Sequence, residues 1–554
     1  MNFKRLISGF SLVLLMLASL RVSAGNISET TALSIANSFL KNRWTSFSGS
    51  LNAPATADLR LAHAEPSRAM RGTNVYYAFN IRGGGFIIVA GEDHATPVLG
   101  YSDKGFLDFK HLPAPLKDLL DGYKEEIEYL QTLKISAPAV TGQFLSDEEP
   151  VVIVEPLTKS NWGPEMPFYT QCPVLDGEYS KVGCAGVSMA QMLYFWRYPF
   201  ACDGLPAYFG DKLNDTIPAL PATTFNYTNM LTIYSHWDYD LQVVVQDTYT
   251  PEQALEVAKL CRYCGQAAKM NYSPTGSGTS EANKLSAMKG FGYSSNALSL
   301  KKSKYTLERW QELIRIELDN GRPVMYGASG TGSPGHAFIL DGYNSDDYFH
   351  INMGWYGWND AWYAVTAIKF INRYGNYRVY NYDHFMIIRL EPPFFCMISA
   401  EDITSDGGLL LLGNSFNPTA VGVDLNTSSR TLTLGFAVTD ADGTLVASSD
   451  RYPVKRHDFE PGTDISCALT LPTTLADGTY DLRFNYRDGD DGELTAVENV
   501  QGQLVVFGPF AKFNAPFTIA DVVDAIDYIL NGNHNGVEIN IANVVDLIDM
   551  LLES

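Results

Sequence analysis

Lys181-Val182-Gly183-Cys184-Ala185-Gly186-Val187-Ser188-Met189-Ala190-Gln191-Met192 places a thiol where an apolar helix begins. Apolar residues continue on most sides through Leu193, and only Gly186 is a potential breaker before Pro199. The pattern predicts a buried helix of about three turns. Cys184 stands at its N-terminus, where unpaired amides and the helix dipole favour thiolate over thiol. The same amides can donate to an oxyanion. A free cysteine is more often a small apolar residue packed in a core, so this stretch alone leaves packing and chemistry both open.

A second stretch, Gly335-His336-Ala337-Phe338-Ile339-Leu340-Asp341-Gly342, puts an imidazole at the head of an apolar strand. Gly335 leaves His336 room beside a ligand. Asp341-Gly342 and 344–347 read as a turn into a second strand, Tyr348 to Asn352. Such a hairpin would bring Asn352 beside His336, where its amide would orient the ring. A thiol nucleophile, an imidazole base and an orienting group, each from a separate element, form the constellation needed for covalent acyl transfer.

These motifs resemble those of the streptopain-like cysteine peptidases, papain-like secreted bacterial enzymes made with a folded propeptide. Gly183-Cys184 with Ala190-Gln191-Met192 and Tyr198-Pro199 is similar to the family's nucleophile motif. Gly335-His336-Ala337-Phe338, Asp341-Gly342, His350 and Asn352-Met353-Gly354-Trp355 resemble its histidine and asparagine motif. Tyr272 with Gly276-Ser277 resembles the substrate-binding loop, and Asn161-Trp162 to Pro167 the start of the mature enzyme. The resemblance implies Cys184 as nucleophile, His336 as base and Asn352 as orienter, with Ser277, Gly335 and Trp355 binding substrate and no metal at the site. It also implies protein or peptide substrates and inhibition by the chain's own propeptide. Two positions depart from the family pattern. Pro164 stands where a Gln side chain usually donates to the oxyanion, and Met353 where a Trp usually shields the histidine. Losing one oxyanion donor costs about a hundred- to a thousandfold in rate in a serine protease. A catalytically weak or inactive homologue, acting as a protein-binding or surface-associated module, is therefore the alternative.

Bulk properties agree with secretion. Lys4 and Arg5, an apolar run from Leu6 to Leu17, and Val22-Ser23-Ala24 read as a signal peptide cut before Gly25. No other apolar run is long enough to span a bilayer. The net charge of −22 argues against nucleic acid or an anionic membrane as partner. The expected location is secreted or cell-surface associated, in a bacterium. Cys261-Arg262-Tyr263-Cys264 invites zinc or redox readings, but no further ligands cluster nearby and the pair lies inside a helical run, Ala254 to Ala268. Core packing is expected there. Cys396 and Cys467 are the candidates for a disulfide in the C-terminal half.

The expected fold class is α+β, in five segments: 1–24, signal peptide; 25–148, an α+β propeptide ending in an exposed linker (136–149); 149–392, a papain-like catalytic domain; 393–508, an immunoglobulin-like β-sandwich of short alternating strands; and 509–554, a short helical module. The last holds a repeat: Phe517 to Leu530 aligns with Ile539 to Leu552 at an offset of 22 residues. Each copy is an amphipathic helix, and the pair resembles a degenerate dockerin module. Asn531, Asn533 and Asn535 alternate as calcium ligands would but lack carboxylate charge. No cofactor is expected for the chemistry. Calcium at this module and a docking partner for its helices are the further expectations.

Overall fold

A computed structural model describes residues 25–48, 58–132, 151–329, 335–367, 383–405, 408–429, 431–455, 459–489, 492–531 and 539–553. The expected signal peptide, the 136–149 linker and the Asn533–Asn535 part of the tail loop lie outside the described residues. The chain divides into two compact units, Met1–Pro392 and Pro393–Ser554.

In the first unit, helix α1 (Glu29–Ser48) precedes strands β1 (Leu59–Pro66), β2 (Asn74–Ile81), β3 (Phe86–Ala90) and β4 (Val98–Ser102), then helix α2 (Ala114–Thr132). β1 and β4 were not foreseen from the sequence. β1 has consecutive runs of exposed and half-buried residues, and β4 is buried throughout, so neither shows a clean alternation of period two. After β5 (Val152–Val154) come α3 (Cys184–Trp196), α4 (Pro251–Ala267) and α5 (Glu281–Gly290), then β6 (Leu298–Lys301) and α6 (Leu307–Asp319). Strands β7 (Val324–Ser329), β8 (His336–Asn344), β9 (Phe349–Asn352), β10 (Ala361–Tyr363) and β11 (Asp383–Ile388) complete the unit. Caps explain several helix starts. Thr250 and Gln253 form a capping box on α4, with Pro251 in its first turn, and Ser280 accepts from Asn283 N at the head of α5. Cys261 and Cys264 are buried inside α4, packed in the core as expected.

One antiparallel sheet runs through both halves of this unit, in the order β1-β2-β3-β4-β10-β9-β8-β7-β11-β6, with β5 added on β8. The seam is β4 against β10, where Gly100 pairs with Tyr363 and Tyr101 with Trp362. A Cβ on Gly100 would lie 2.4 Å from the Tyr363 ring, so a glycine is required for the two strands to meet. The contacts around the seam are polar and buried. Glu126 on α2 accepts from Thr366 Oγ1 at 2.8 Å and Ala367 N at 2.6 Å. Asn344 donates to Tyr101 at 2.7 Å, and Tyr348 to the Val98 carbonyl at 2.9 Å. One core packs α2 and β2–β4 together with α6 and β7–β10, and a second gathers α3, α4 and α5. The β8–β9 hairpin differs from expectation: Asp341 and Gly342 are inside β8, at a bulge between Leu340 and Gly342, and the strand continues to Asn344 before turning.

Among the described residues, the second unit has a four-stranded, a seven-stranded and a two-stranded antiparallel sheet that share one core. The largest takes in Phe510–Phe513, beyond the expected boundary at 508, because that segment pairs with Leu504–Phe507 and Leu410–Leu411. Cys396 and Cys467 are both free, as are the other five cysteines, so the candidate disulfide is not formed. Cys467 is buried in the core of this unit, and Cys396 packs half-buried against it. Helices α7 (Ile519–Asn531) and α8 (Ile541–Glu553) follow. They pack on each other through Val522, Ala525, Val544 and Leu547, and against Leu409, Leu411 and Phe510.

Candidate active site

Cys184 is the first residue of α3, and Gly183 before it has φ 78° and ψ 147°. A Cβ there would sit 2.6 Å from the Ser277 carbonyl oxygen, so both the backbone angle and the space exclude any other residue. This close approach joins the nucleophile turn to the 273–278 loop. Ser277 Oγ donates to the Lys181 carbonyl at 2.6 Å and accepts from Ser273 N at 3.0 Å. Its hydroxyl is thus used to hold the loop, and the loop forms a wall of the cleft. Tyr272 is fully buried, so only the Gly276–Ser277 end of that loop reaches the cleft.

His336 opens β8 and lines the same cleft as Cys184. Ala337 N lies 3.4 Å from Cys184 Sγ and donates to it. Burial by itself would raise the thiol pKa. The hydrogen bond and charge of His336, the Ala337 amide and the charge of Lys284 outweigh that effect and hold the thiol below its ordinary value. Burial likewise would depress His336, but its hydrogen bond and charge interaction with Cys184, and the charge of Asp118, hold it above its ordinary value. The two shifts belong to the pair and favour thiolate beside imidazolium.

Cys184, His336, Ser277, Gly335 and Trp355 all line one cleft of about 750 Å³. Pro164 lines it too, and its carbonyl accepts from Val182 N at 3.1 Å. Glu165 beside it is held by Lys181 at 2.5 Å. Ala114, at the head of α2, also lines the cleft, and Asp118 Oδ2 on the same helix stands 3.8 Å from His336 Nε2. The N-terminal segment therefore reaches the site itself, through residues that no local pattern marked.

Asn352 makes no hydrogen bond to the His336 ring among the described residues. Its Oδ1 accepts from Gln191 Nε2 at 3.2 Å and Gly354 N at 3.0 Å, and its Nδ2 donates to the Ser160 carbonyl at 2.8 Å. The cause is register. Asn352 pairs with Ile339, three residues beyond His336, and an odd separation along a strand reverses the face. Ile339 packs with α3, whereas Phe338 and Leu340 pack on the other side. Asn352 thus anchors Gln191, in the middle of the nucleophile helix. His336 Nδ1 is buried and has no hydrogen-bond partner among the described residues, and the same holds for the indole N–H of Trp355. The other histidine of the motif, His350, is bonded through Nδ1 to buried Asp341 at 2.7 Å. Asp341 also accepts from Thr158 N at 3.1 Å.

Among the described residues, one group could hold a metal ion: Glu92, Asp93 and His94, buried in the N-terminal half, with ligand atoms within 4.8 Å of one another. It is not part of the cleft lining.

A thiol and an imidazole shifted toward each other across a cleft, on a helix start and a strand start, place this unit among the cysteine peptidases. Comparison with known proteins gives the family. Residues 162–363 match the peptidase C10 family and residues 24–127 the Spi protease inhibitor domain. The thiol protease/hemagglutinin PrtT of Porphyromonas gingivalis is 26% identical over 442 residues, 75% of this chain and 47% of that protein. The chain thus spans about half the length of that relative. Streptopain of Streptococcus pyogenes is 24% identical over 341 residues, 57% of this chain and 80% of that one. Among solved structures, a Prevotella intermedia prointerpain A fragment is 26% identical, with a TM-score of 0.44 over 60% of this chain and 98% of the fragment.

Proposed function

We propose that this chain is a secreted cysteine endopeptidase made as a zymogen, with Cys184 as nucleophile and His336 as base and then acid. The observation that carries the proposal is the Cys184–His336 pair in a cleft that Ala114 of α2 also lines. Thiolate Sγ attacks the scissile carbonyl carbon, and the oxygen becomes an oxyanion facing the start of α3. The imidazolium of His336 gives its proton to the leaving amine as the C–N bond breaks, leaving a thioester on Cys184. His336 then takes a proton from water, whose oxygen attacks the thioester carbon, and the acid product leaves with the thiolate restored. Every step is assigned to side chains and amides of the chain. Asn352 acts in this scheme through Gln191, as a positioning residue for α3.

Residues 25–132 serve as the inhibitor. Ala114 at the cleft and Asp118 beside His336 support this, with the shared sheet holding both in register. Secretion rests on the 1–24 sequence pattern. Among the described residues no helix is long and apolar enough to cross a membrane. A docking partner for the C-terminal helices is supported by a repeated exposed apolar face: Ile519, Val523, Ile526 and Leu530 on α7, and Ile541, Val545, Ile548 and Leu552 on α8. Calcium in the loop between them rests on Asn531, Asn533 and Asn535 alone.

The alternative of a weak or inactive homologue is favoured by Pro164, which offers the cleft no side-chain donor. A thiol-directed epoxide probe separates the two. The full-length chain, allowed to mature, should be labelled at Cys184 and should cleave a protein substrate, and Cys184→Ala should do neither while remaining folded. Unchanged hydrolysis by purified Cys184→Ala would sink the assignment.

A further inference from the structure

The cleft is lined by four lysines, Lys181, Lys212, Lys284 and Lys301, and by two glutamates, Glu165 and Glu281. In a chain of net charge −22 that is a local reversal of sign. Most of these charges have partners. Lys181 pairs with Glu165 at 2.5 Å, Lys212 donates to the Gly276 carbonyl at 2.7 Å, and Lys301 and Glu281 are both engaged. Lys284 differs. It is only 3% exposed, yet its ammonium has no hydrogen bond or ion pair among the described residues. Its ammonium lies over the face of Phe385, with Nζ 4.2 Å from the ring centroid.

The platform under that ammonium is built in. Phe385 lies over Gly327, where a Cβ would meet the ring at 2.3 Å, so the ring can occupy its place only above a glycine. Phe385 and Lys284 both line the cleft, as do Ala328 and Gly335. A cation–π contact returns about 0.5–2 kcal/mol, less than the several kcal/mol that burial of an unpaired ammonium costs. Burial draws the Lys284 pKa down to about 8, against the charges of Cys184 and Glu281, so the group still carries its proton near neutrality. An apolar ring beside an unpaired buried cation suits a ligand with a short apolar stem and a carboxylate end.

Resting on the peptidase reading above, we propose that Lys284 is a specificity residue that receives the side-chain carboxylate of an aspartate or glutamate in the substrate, so that this cleft selects acidic peptides. A site built to bind a charged group rejects the isostere that lacks it, because the site's own charge is then left buried and unpaired. A purely electrostatic effect of Lys284 on the Cys184 thiolate would instead change the rate on all peptides together.

The test uses enzyme matured from the full-length chain and internally quenched peptides with acetylated and amidated ends. Pairs differ only by Glu against Gln at one position, scanned along the residues flanking the scissile bond. At one position the Glu peptide should have a kcat/KM at least about tenfold above its Gln twin. Lys284→Met should bring that ratio close to one, and Lys284→Arg should keep most of it, whatever either does to absolute rates. The proposal is overturned if no position discriminates, or if the ratio survives in Lys284→Met. It is also overturned if only a peptide with a free C-terminus is favoured, since the carboxylate recognised would then be the chain end. Cleavage of the Gln peptides with no Glu preference would remove the specificity and leave the peptidase reading standing. No cleavage of any peptide, and no epoxide labelling of Cys184, would remove both.

Discussion

The two ends of the β8–β9 hairpin carry the two histidines of the motif and treat them in opposite ways. At the open end His336 faces a thiol, a cleft and a carboxylate of α2, and its Nδ1 has no hydrogen-bond partner among the described residues. At the closed end His350 is held at 2.7 Å by Asp341, which is itself wholly buried and bonded to Thr158. Burial works against the charged form of both rings, and a nearby anion raises both. The difference lies in what the anion is free to do. A carboxylate fixed by further hydrogen bonds makes a structural pair, whereas a thiolate exposed to a cleft can leave the pair and attack. A perturbed histidine is therefore informative about chemistry only together with its partner's freedom.

The largest effect should come from removing the open-end ring. His336→Ala should cut turnover by at least about a thousandfold with little change in melting temperature. His350→Ala should do the reverse, lowering stability more than it lowers the turnover of the folded fraction. Comparable rate losses in both variants would abolish the distinction drawn between the two ends. Breaking the closed-end pair from its other side, Asp341→Ala should destabilise the protein by about 3–5 kcal/mol, since it leaves a buried imidazole unpaired. Denaturant titration measures this, and a loss under about 1 kcal/mol would mean the pair is not a strut.

Two smaller effects sharpen the contrast. Pro164→Gln would put an amide donor near the developing oxyanion, and turnover should rise about tens-fold with a smaller change in KM. Glu165 is tied to Lys181 and is poorly placed to fill that role. Unchanged turnover in a folded variant would mean that backbone amides already suffice. Asn352→Ala should cost about 1–3 kcal/mol through the amide of Gln191 that it strands, and it should leave the pH dependence of turnover where it was. That dependence should be bell-shaped. The thiolate–imidazolium pair forms as pH rises past the lowered thiol value and is lost as pH passes the raised imidazole value. An alkaline limb that moves down in Asn352→Ala would restore this residue as the ring's orienter.

Much of the site was legible because its signals are local. Gly183 before Cys184, the apolar run of α3 and Gly335 before His336 each state a short-range requirement: a positive φ, a buried helix, an open strand end. The repeat of Phe517–Leu530 in Ile539–Leu552 was legible for the same reason, as a pattern of period and spacing within one segment. The partner of Asn352 was not legible. Strand parity makes one residue of register decide whether it meets an imidazole or a helix amide, and the bulge after Leu340 is invisible to composition. Nor were Lys284, which reaches the cleft from α5, and Asp118, which approaches His336 from α2, both with ordinary helix-surface surroundings in the sequence.

The sequence by itself thus determined the Cys184 and His336 positions that line the cleft, the helix and strand that present them, and the duplicated tail, because each depends on residues close together in the chain. Only the tertiary structure decided that β4 joins β10 in one sheet, that Asn352 braces Gln191, and that a lysine buried over Phe385 stands in the cleft. Each of these follows from segments about 100 residues or more apart meeting in space, and long-range contacts of that kind are specified by packing and register across the whole fold rather than by any local pattern.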